Sequence, residues 1–283
     1  MTLVQSWRTA RPSGKPAQRK RRSRRWAVRG EIGKAESVGF AMLGLAVPLG
    51  LWVLISTAGM MSDLFMPGPI AVIHRFFVWW RVEGFTHDLW ISIYRVTMGF
   101  LASLAIALPL ALLAGTFRPA QVFLEPVMDF IRYMPAVAFI PLVMLWVGID
   151  EGSKIAIIFI GTFFQMVLMM GENVRAVPSA QTEAAQTMGA NNRELVWKVI
   201  FRSALPSLLD TCRITLGWAW TYLVVAEIVA ANAGLGYAIL KAQRFLQTDK
   251  IFAGILAIGL IGLIQDQLLR WLHRVAFPWL YRR

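Results

Sequence analysis

Hydrophobic residues in this chain do not alternate, and in six places they do not keep to one helical face either. Residues 38–59, 89–115, 122–148, 155–171, 208–231 and 251–275 are apolar nearly all the way round. A bilayer core about 30 Å thick takes roughly 20 residues of helix, and a helix apolar on every side leaves no face for water. The pattern predicts an all-α membrane protein with six transmembrane helices. Pro126, Pro135 and Pro141 fall in the third stretch and predict a broken span, while the fourth stretch is short. In the second, Ser103, Ala107, Ala111 and Gly115 recur every four residues. Such a small-residue stripe lets a neighbouring helix approach closely, either as general membrane packing or as a seam beside a path through the membrane. After the first span, Met66-Pro67-Gly68-Pro69 leads into 70–81, which is apolar and aromatic but too short to cross. It predicts a short helix lying in the interface.

Composition agrees with the pattern. The chain is 57% hydrophobic and 16% charged, with a mean hydropathy of +0.55. Soluble domains carry about 25% charged residues, so an ordinary soluble enzyme, a disordered protein and a fibrous one are all excluded. The net charge of +13 is uneven. Residues 1–34 hold eleven Lys/Arg against the single acid Glu31, whereas the rest hold eighteen against fifteen. The chain therefore divides into a basic, disordered tail, 1–37, and a transmembrane domain, 38–283. The tail's Arg19, Lys20, Arg21, Arg22, Arg24 and Arg25 have three readings: nucleic-acid binding, a twin-arginine export signal, or a cytoplasmic anchor that fixes topology and touches anionic lipid. The anchor is preferred, and an export signal in particular does not explain the apolar stretches that follow. Six spans and a basic tail place both termini in the cytoplasm. The basic residues of the 172–207 connection agree, although Lys241, Arg244 and Lys250 in the last outer loop run against the rule.

Little chemistry is signalled within the chain. Gly148-Ile149-Asp150-Glu151-Gly152-Ser153-Lys154 lacks the phosphate-loop spacing, and there is one cysteine, Cys212. His74, His87 and His273 are scattered, so no metal site and no bound cofactor are expected. An integral membrane enzyme would need clustered His, Asp or Cys at the membrane face. Polar groups inside spans are functional candidates by default. They are Arg95, Arg132, Arg213 and Glu227, then Gln165, Thr221 and Asn232, with Trp218, Trp220 and Tyr222 as gate candidates. Arg132 or Arg213 would lower the barrier for an anion, Arg132 among the prolines of a broken span. The structural alternative is a snorkelling arginine or an Arg–Glu pair, and for the aromatics simple packing.

The connection between spans four and five, about 172–207, is neither short nor a flexible linker. Residues 182–188 are helix-forming, Gly189 breaks the helix, and 191–201 form a second amphipathic helix. A helix–Gly–helix unit of this kind is a rigid handle on the two spans it joins. Glu183-Ala184-Ala185-Gln186-Thr187-Met188-Gly189-Ala190, followed by Val199 and Leu205-Pro206, resembles the EAA motif of bacterial binding-protein-dependent ABC permeases. The family pattern has Leu-Pro two residues after the position of Val199. Here Phe201-Arg202 stands there, and Leu-Pro comes four residues later.

Further runs resemble the permeases for nitrate, sulfonates, taurine and bicarbonate. They are Met66–Pro69, Arg132-Tyr133-Met134-Pro135-Ala136, Ile140-Pro141-Leu142, Trp146-Val147-Gly148-Ile149, Glu151-Gly152-Ser153-Lys154-Ile155, Ala226-Glu227 and Gly234-Leu235-Gly236. The Gly-Ser-Lys-Ile and Gly-Leu-Gly runs lean toward the taurine and sulfonate members. The resemblance implies a MetI-like permease fold in the bacterial inner membrane, with EAA coupling helices between spans four and five. It implies ATPase-coupling roles for Glu183, Ala184, Ala185, Met188, Gly189, Ala190, Asn191 and Asn192, and leaves Arg132, Gln165, Arg213 and Glu227 as translocation-path candidates. It also implies partners: a second permease copy, two ATPase subunits holding ATP and magnesium, and a periplasmic substrate-binding protein. The function implied is import of a small anion, taurine or another sulfonate, with nitrate or bicarbonate as the alternative cargo. A secondary transporter or membrane scaffold is the alternative of another class, and it would need no coupling loop.

Overall fold

A computed structural model describes residues 33–59 and 61–281. Most of the basic tail, 1–32, and Arg282 and Arg283 therefore lie outside the described residues. The chain forms two compact units, residues 1–52 and 53–283. The first is seen as most of α1 (Lys34–Thr57), an apolar helix of 24 residues.

Among the described residues of the second unit, every regular element is a helix. α2 (Pro69–Val82) starts on a proline, whose missing N–H is one the first turn does not need. It buries Trp79 edge-on to Phe85 at 4.9 Å, with the Lys250 ammonium 5.0 Å from the ring. Glu83, just beyond α2, pairs with Lys250 at 2.5 Å and Arg75 at 2.9 Å. Burial raises its pKa, but these two cations outweigh burial and hold the carboxyl below its ordinary value.

α3 (Phe85–Thr116, 32 residues) and α6 (Glu151–Arg175, 25 residues) form the centre of the core. The small-residue stripe of α3 is their seam. Ala107 and Ala111 are fully buried, and the Ser103 hydroxyl lies 2.8 Å from that of Thr162. A Cβ at Gly115 would lie 2.5 Å from Val174, and one at Gly99 2.7 Å from Ile158. No larger residue allows this approach.

The third apolar stretch is α4 (Arg118–Arg132), a short 3₁₀ turn (Ala136–Phe139) and α5 (Ile140–Val147), bent by 87°. Of its prolines, Pro126 sits inside α4 without ending it, and the break falls at Pro135. Proline removes a backbone donor and drives the residue before it out of the helical region. The described residues therefore hold five helices long and apolar enough to cross a membrane, or six when the bent pair counts as one.

Two expected boundaries need correction. The fourth span is not short: α6 extends four residues beyond each expected end. The charges that hide its ends are paired, Glu151 with Arg95 at 2.7 Å and Arg175 with Glu125 at 2.6 Å. The helix expected at 191–201 is not separate from the fifth span. α8 (Asn192–Glu194) passes through a π turn (Leu195–Ile200) into α9 (Phe201–Ala230), and Pro206 lies within α9. α10 (Leu235–Arg244) and α11 (Thr248–Ala276) complete the unit, α11 packing on α2, α9 and α10.

Candidate functional site

Three elements enclose a cavity of about 280 Å³: the break between α4 and α5, the middle of α6 and the middle of α9. The break contributes Arg132 and Phe139, α6 contributes Gly161, Phe164 and Gln165, and α9 contributes Trp218, Thr221 and Tyr222. Two of the four path candidates, Arg132 and Gln165, thus share one cavity, with three of the residues named as gate or path candidates. Arg132 is one-third exposed. It pairs with Asp129 at 3.0 Å, donates to the Tyr133 hydroxyl at 3.2 Å and lies 4.9 Å over that ring. The Gln165 amide, the Thr221 and Tyr222 hydroxyls and the Trp218 indole N–H have no protein hydrogen-bond partner among the described residues. They are donors left available to whatever fills the space.

The other two candidates lie elsewhere. Arg213 on α9 pairs with Asp210 at 2.6 Å and with Asp266 of α11 at 3.0 Å, and does not line the cavity. Glu227, also on α9, is fully buried in a polar knot. Its carboxylate accepts from Ser92 at 2.7 Å, from Arg95 at 2.8 Å and from the Gly236 amide at 2.7 Å. Arg95, 1% exposed, also donates twice to Glu151 at 2.7 Å and once to the Ala233 carbonyl at 2.7 Å. The amide of Leu235 donates to Ser92, and that of Gly234 to Asp88, both at 2.9 Å. A buried charge is tolerated when its partners satisfy it fully, and here they do.

Glycine is required around this knot. A Cβ at Gly234, where φ is +119°, would lie 2.3 Å from a Glu227 carboxylate oxygen. Of the two runs whose resemblance leaned toward sulfonate members, Gly-Leu-Gly joins this knot directly and Gly-Ser-Lys-Ile joins it through the bond from Lys154 to Glu151, and neither lines the cavity. Sequence reasoning named Arg95 and Glu227 separately but missed Ser92, Asp88 and Glu151, which come together only in the fold.

The loop joining α6 to α9 is a corner closed at both ends. α7 (Ser179–Thr187) ends in the left-handed Gly189, φ +86°. The Gly189 amide donates to Gln186 at 2.9 Å and that of Ala190 to Ala185 at 3.0 Å. This is a Schellman motif, which satisfies the last carbonyls of a helix and favours glycine at that position. The next helix begins at once. Asn191 and Glu194 form a reciprocal capping box at 3.0 and 3.2 Å. Lys198 hydrogen-bonds Glu194, and this bond with the Asn191 amide holds its carboxyl below the ordinary value.

Of the candidate coupling residues, Glu183, Ala184, Gly189, Asn191 and Asn192 are exposed, and Met188 is 82% exposed. Ala190 is half-buried. Ala185 is buried on the side of α7 that packs on the π turn, and Gln181 hydrogen-bonds Ser203 of α9 at 2.6 Å. The helix after the corner is capped by Asn191 with Glu194, a pairing visible in the sequence as Asn-x-x-Glu.

The family described as "Binding-protein-dependent transport system inner membrane component" matches residues 107–276, a stretch that contains α6, the corner and α9. The chain belongs to this family. This ABC importer permease is 36% identical over 242 residues to the "Putative aliphatic sulfonates transport permease protein SsuC" of Bacillus subtilis (strain 168), covering 84% of this chain and 87% of that one. It is 34% identical over 240 residues to the "Taurine transport system permease protein TauC" of Escherichia coli (strain K12), covering 83% and 87%. Its fold is similar to that of a chain in the inward-facing MetNI methionine ABC transporter, with a TM-score of 0.57 at 21% identity over 66% of this chain and 94% of that one. Permeases of this family are membrane components of importers and are not themselves enzymes.

Proposed function

We propose that this permease imports a small sulfonate anion, taurine or a relative, through the cavity between α6, α9 and the α4–α5 break. Residues 183–192 dock on a separate ATPase subunit. Residues 38–283 are the permease domain, and residues 1–37 are a cytoplasmic tail that fixes topology, so the corner and both termini face the cytoplasm. Two permease copies, two ATPase subunits carrying ATP and magnesium, and a periplasmic binding protein complete the importer.

The observation that carries this reading is the connectivity. The corner joins α6 to α9, the same two helices that face the α4–α5 break across the cavity. Rotation of the corner therefore moves two cavity walls together. ATP binding shifts the equilibrium only if it favours one arrangement of those walls over the other. A stiff corner supplies that preference by transmitting the closure of the ATPase pair. Arg132 and the unpartnered donors on the walls suit an oxyanion, which accepts hydrogen bonds and carries negative charge. The sulfonate and taurine names of the relatives support this cargo.

The test replaces Gly189 with valine, whose Cβ branching opposes a positive φ. Gly189→Val is expected to abolish sulfonate uptake and copurification of the ATPase, while the chain still inserts in the membrane. Uptake and ATPase association that both survive would overturn the coupling role.

A further inference from the structure

Tyr222 is a wall residue whose position depends on an absence. Its ring lies flat on the backbone of α6 at Gly161: a Cβ there would lie 2.3 Å from Cδ2, 2.4 Å from Cγ and 2.6 Å from Cε2. No side chain, not even a methyl, fits beneath the ring where it stands. The ring is half-buried, packed against the core on one side and lining the cavity on the other. The core side is filled by close-packed atoms, which resist displacement. Only the cavity side has room.

We propose that Tyr222, seated on the bare backbone of Gly161, sets the bore of the cavity and thereby the largest substituent a cargo can carry past it. Gly161 acts as a positioning residue and Tyr222 as a specificity-determining one. Any side chain at 161 drives the ring into the cavity; removing the ring widens it. The cargo part of this inference rests on the sulfonate reading, whereas the bore itself does not.

Two experiments test it on the full transporter. In proteoliposomes containing permease, ATPase and binding protein, uptake is compared for methanesulfonate, butanesulfonate and octanesulfonate. A size mismatch of one methylene in a fitted pocket costs about tenfold or more. Gly161→Ala is expected to lower octanesulfonate uptake by about tenfold more than methanesulfonate uptake. Tyr222→Ala reverses that bias, the double variant behaves like Tyr222→Ala, and Tyr222→Phe keeps the wild-type size profile. Equal losses for all three cargoes, or unchanged ratios, would mean that the pair only packs α6 on α9.

The second readout needs no cargo. Cys212 is the only cysteine and is buried. In a Cys212→Ala background, Thr221→Cys is labelled with methyl methanethiosulfonate and with a bulky aryl maleimide. Gly161→Ala should slow the bulky reagent alone, and Tyr222→Ala should speed it. If these rates shift while no sulfonate is carried, the cargo reading fails and the bore stands. If the ratio of the two rates is the same in all variants, the bore is wrong whatever the cargo. Should Gly161→Ala fail to fold, Tyr222→Ala alone decides through the same ratio.

Discussion

Arg95 and Arg132 are both arginines within apolar stretches, and they sit in opposite kinds of surroundings. Arg95 is sealed in, every nitrogen engaged by Glu151, Glu227 or a backbone carbonyl. Among the described residues, Arg132 pairs only with its helical neighbour Asp129 and with Tyr133, and the other donors of the cavity it fronts have no protein partner. Charge inside a membrane marks a site worth attention, but it does not say which kind. Partner bookkeeping does. A fully satisfied cluster fastens helices together, here α3, α6 and α9. A partly satisfied one leaves capacity for a guest.

The contrast breaks most readily at Glu227. Truncation to alanine leaves the buried Arg95 with Glu151 as its one carboxylate, and unfolding in detergent should register a loss of about 3–5 kcal/mol. A Glu227→Ala protein of unchanged stability but altered cargo preference would reverse the two assignments. Arg132→Gln should do the opposite. Stability stays within about 0.5 kcal/mol, while uptake at limiting substrate falls about tenfold, roughly 1.4 kcal/mol. The smallest effect belongs to the exposed capping box. Asn191→Ala should cost about 1 kcal/mol of local helix stability, visible as faster amide exchange at residues 192–195. The Glu194 arm of that box has a pH signature. Because the folded carboxyl titrates below 4.5, its contribution is complete above that value and is lost as pH falls through the lowered one. Protection at these amides, taken relative to the intrinsic exchange rate at each pH, should fall in acid, and the Glu194→Gln protein should show less of that dependence.

Much of this was legible in the chain. The apolar stretches marked the long helices, five or six of them long enough to cross, the small-residue stripe of α3 became the seam with α6, and Pro135 broke the third stretch. The ends of α6 were hidden because Glu151, Lys154 and Arg175 look like membrane-avoiding residues until their partners are known. The knot was hidden by distance: Arg95 and Glu227 lie 132 residues apart in sequence. Gly234 and Gly236 looked like family markers, and their physical reason, room for a buried carboxylate, exists only in three dimensions. The π turn has no signature in the local pattern, since its side chains remain helical in character. Gly161 is likewise one glycine among several until Tyr222 lies on it.

The corner at Gly189 has one more consequence. Its two helix ends satisfy their own stray amides and carbonyls through the Schellman bonds and the Asn191–Glu194 box. The elbow thus keeps its angle before anything grips it. Any partner docking there would meet a finished shape, with no loose stretch to order at the moment of contact.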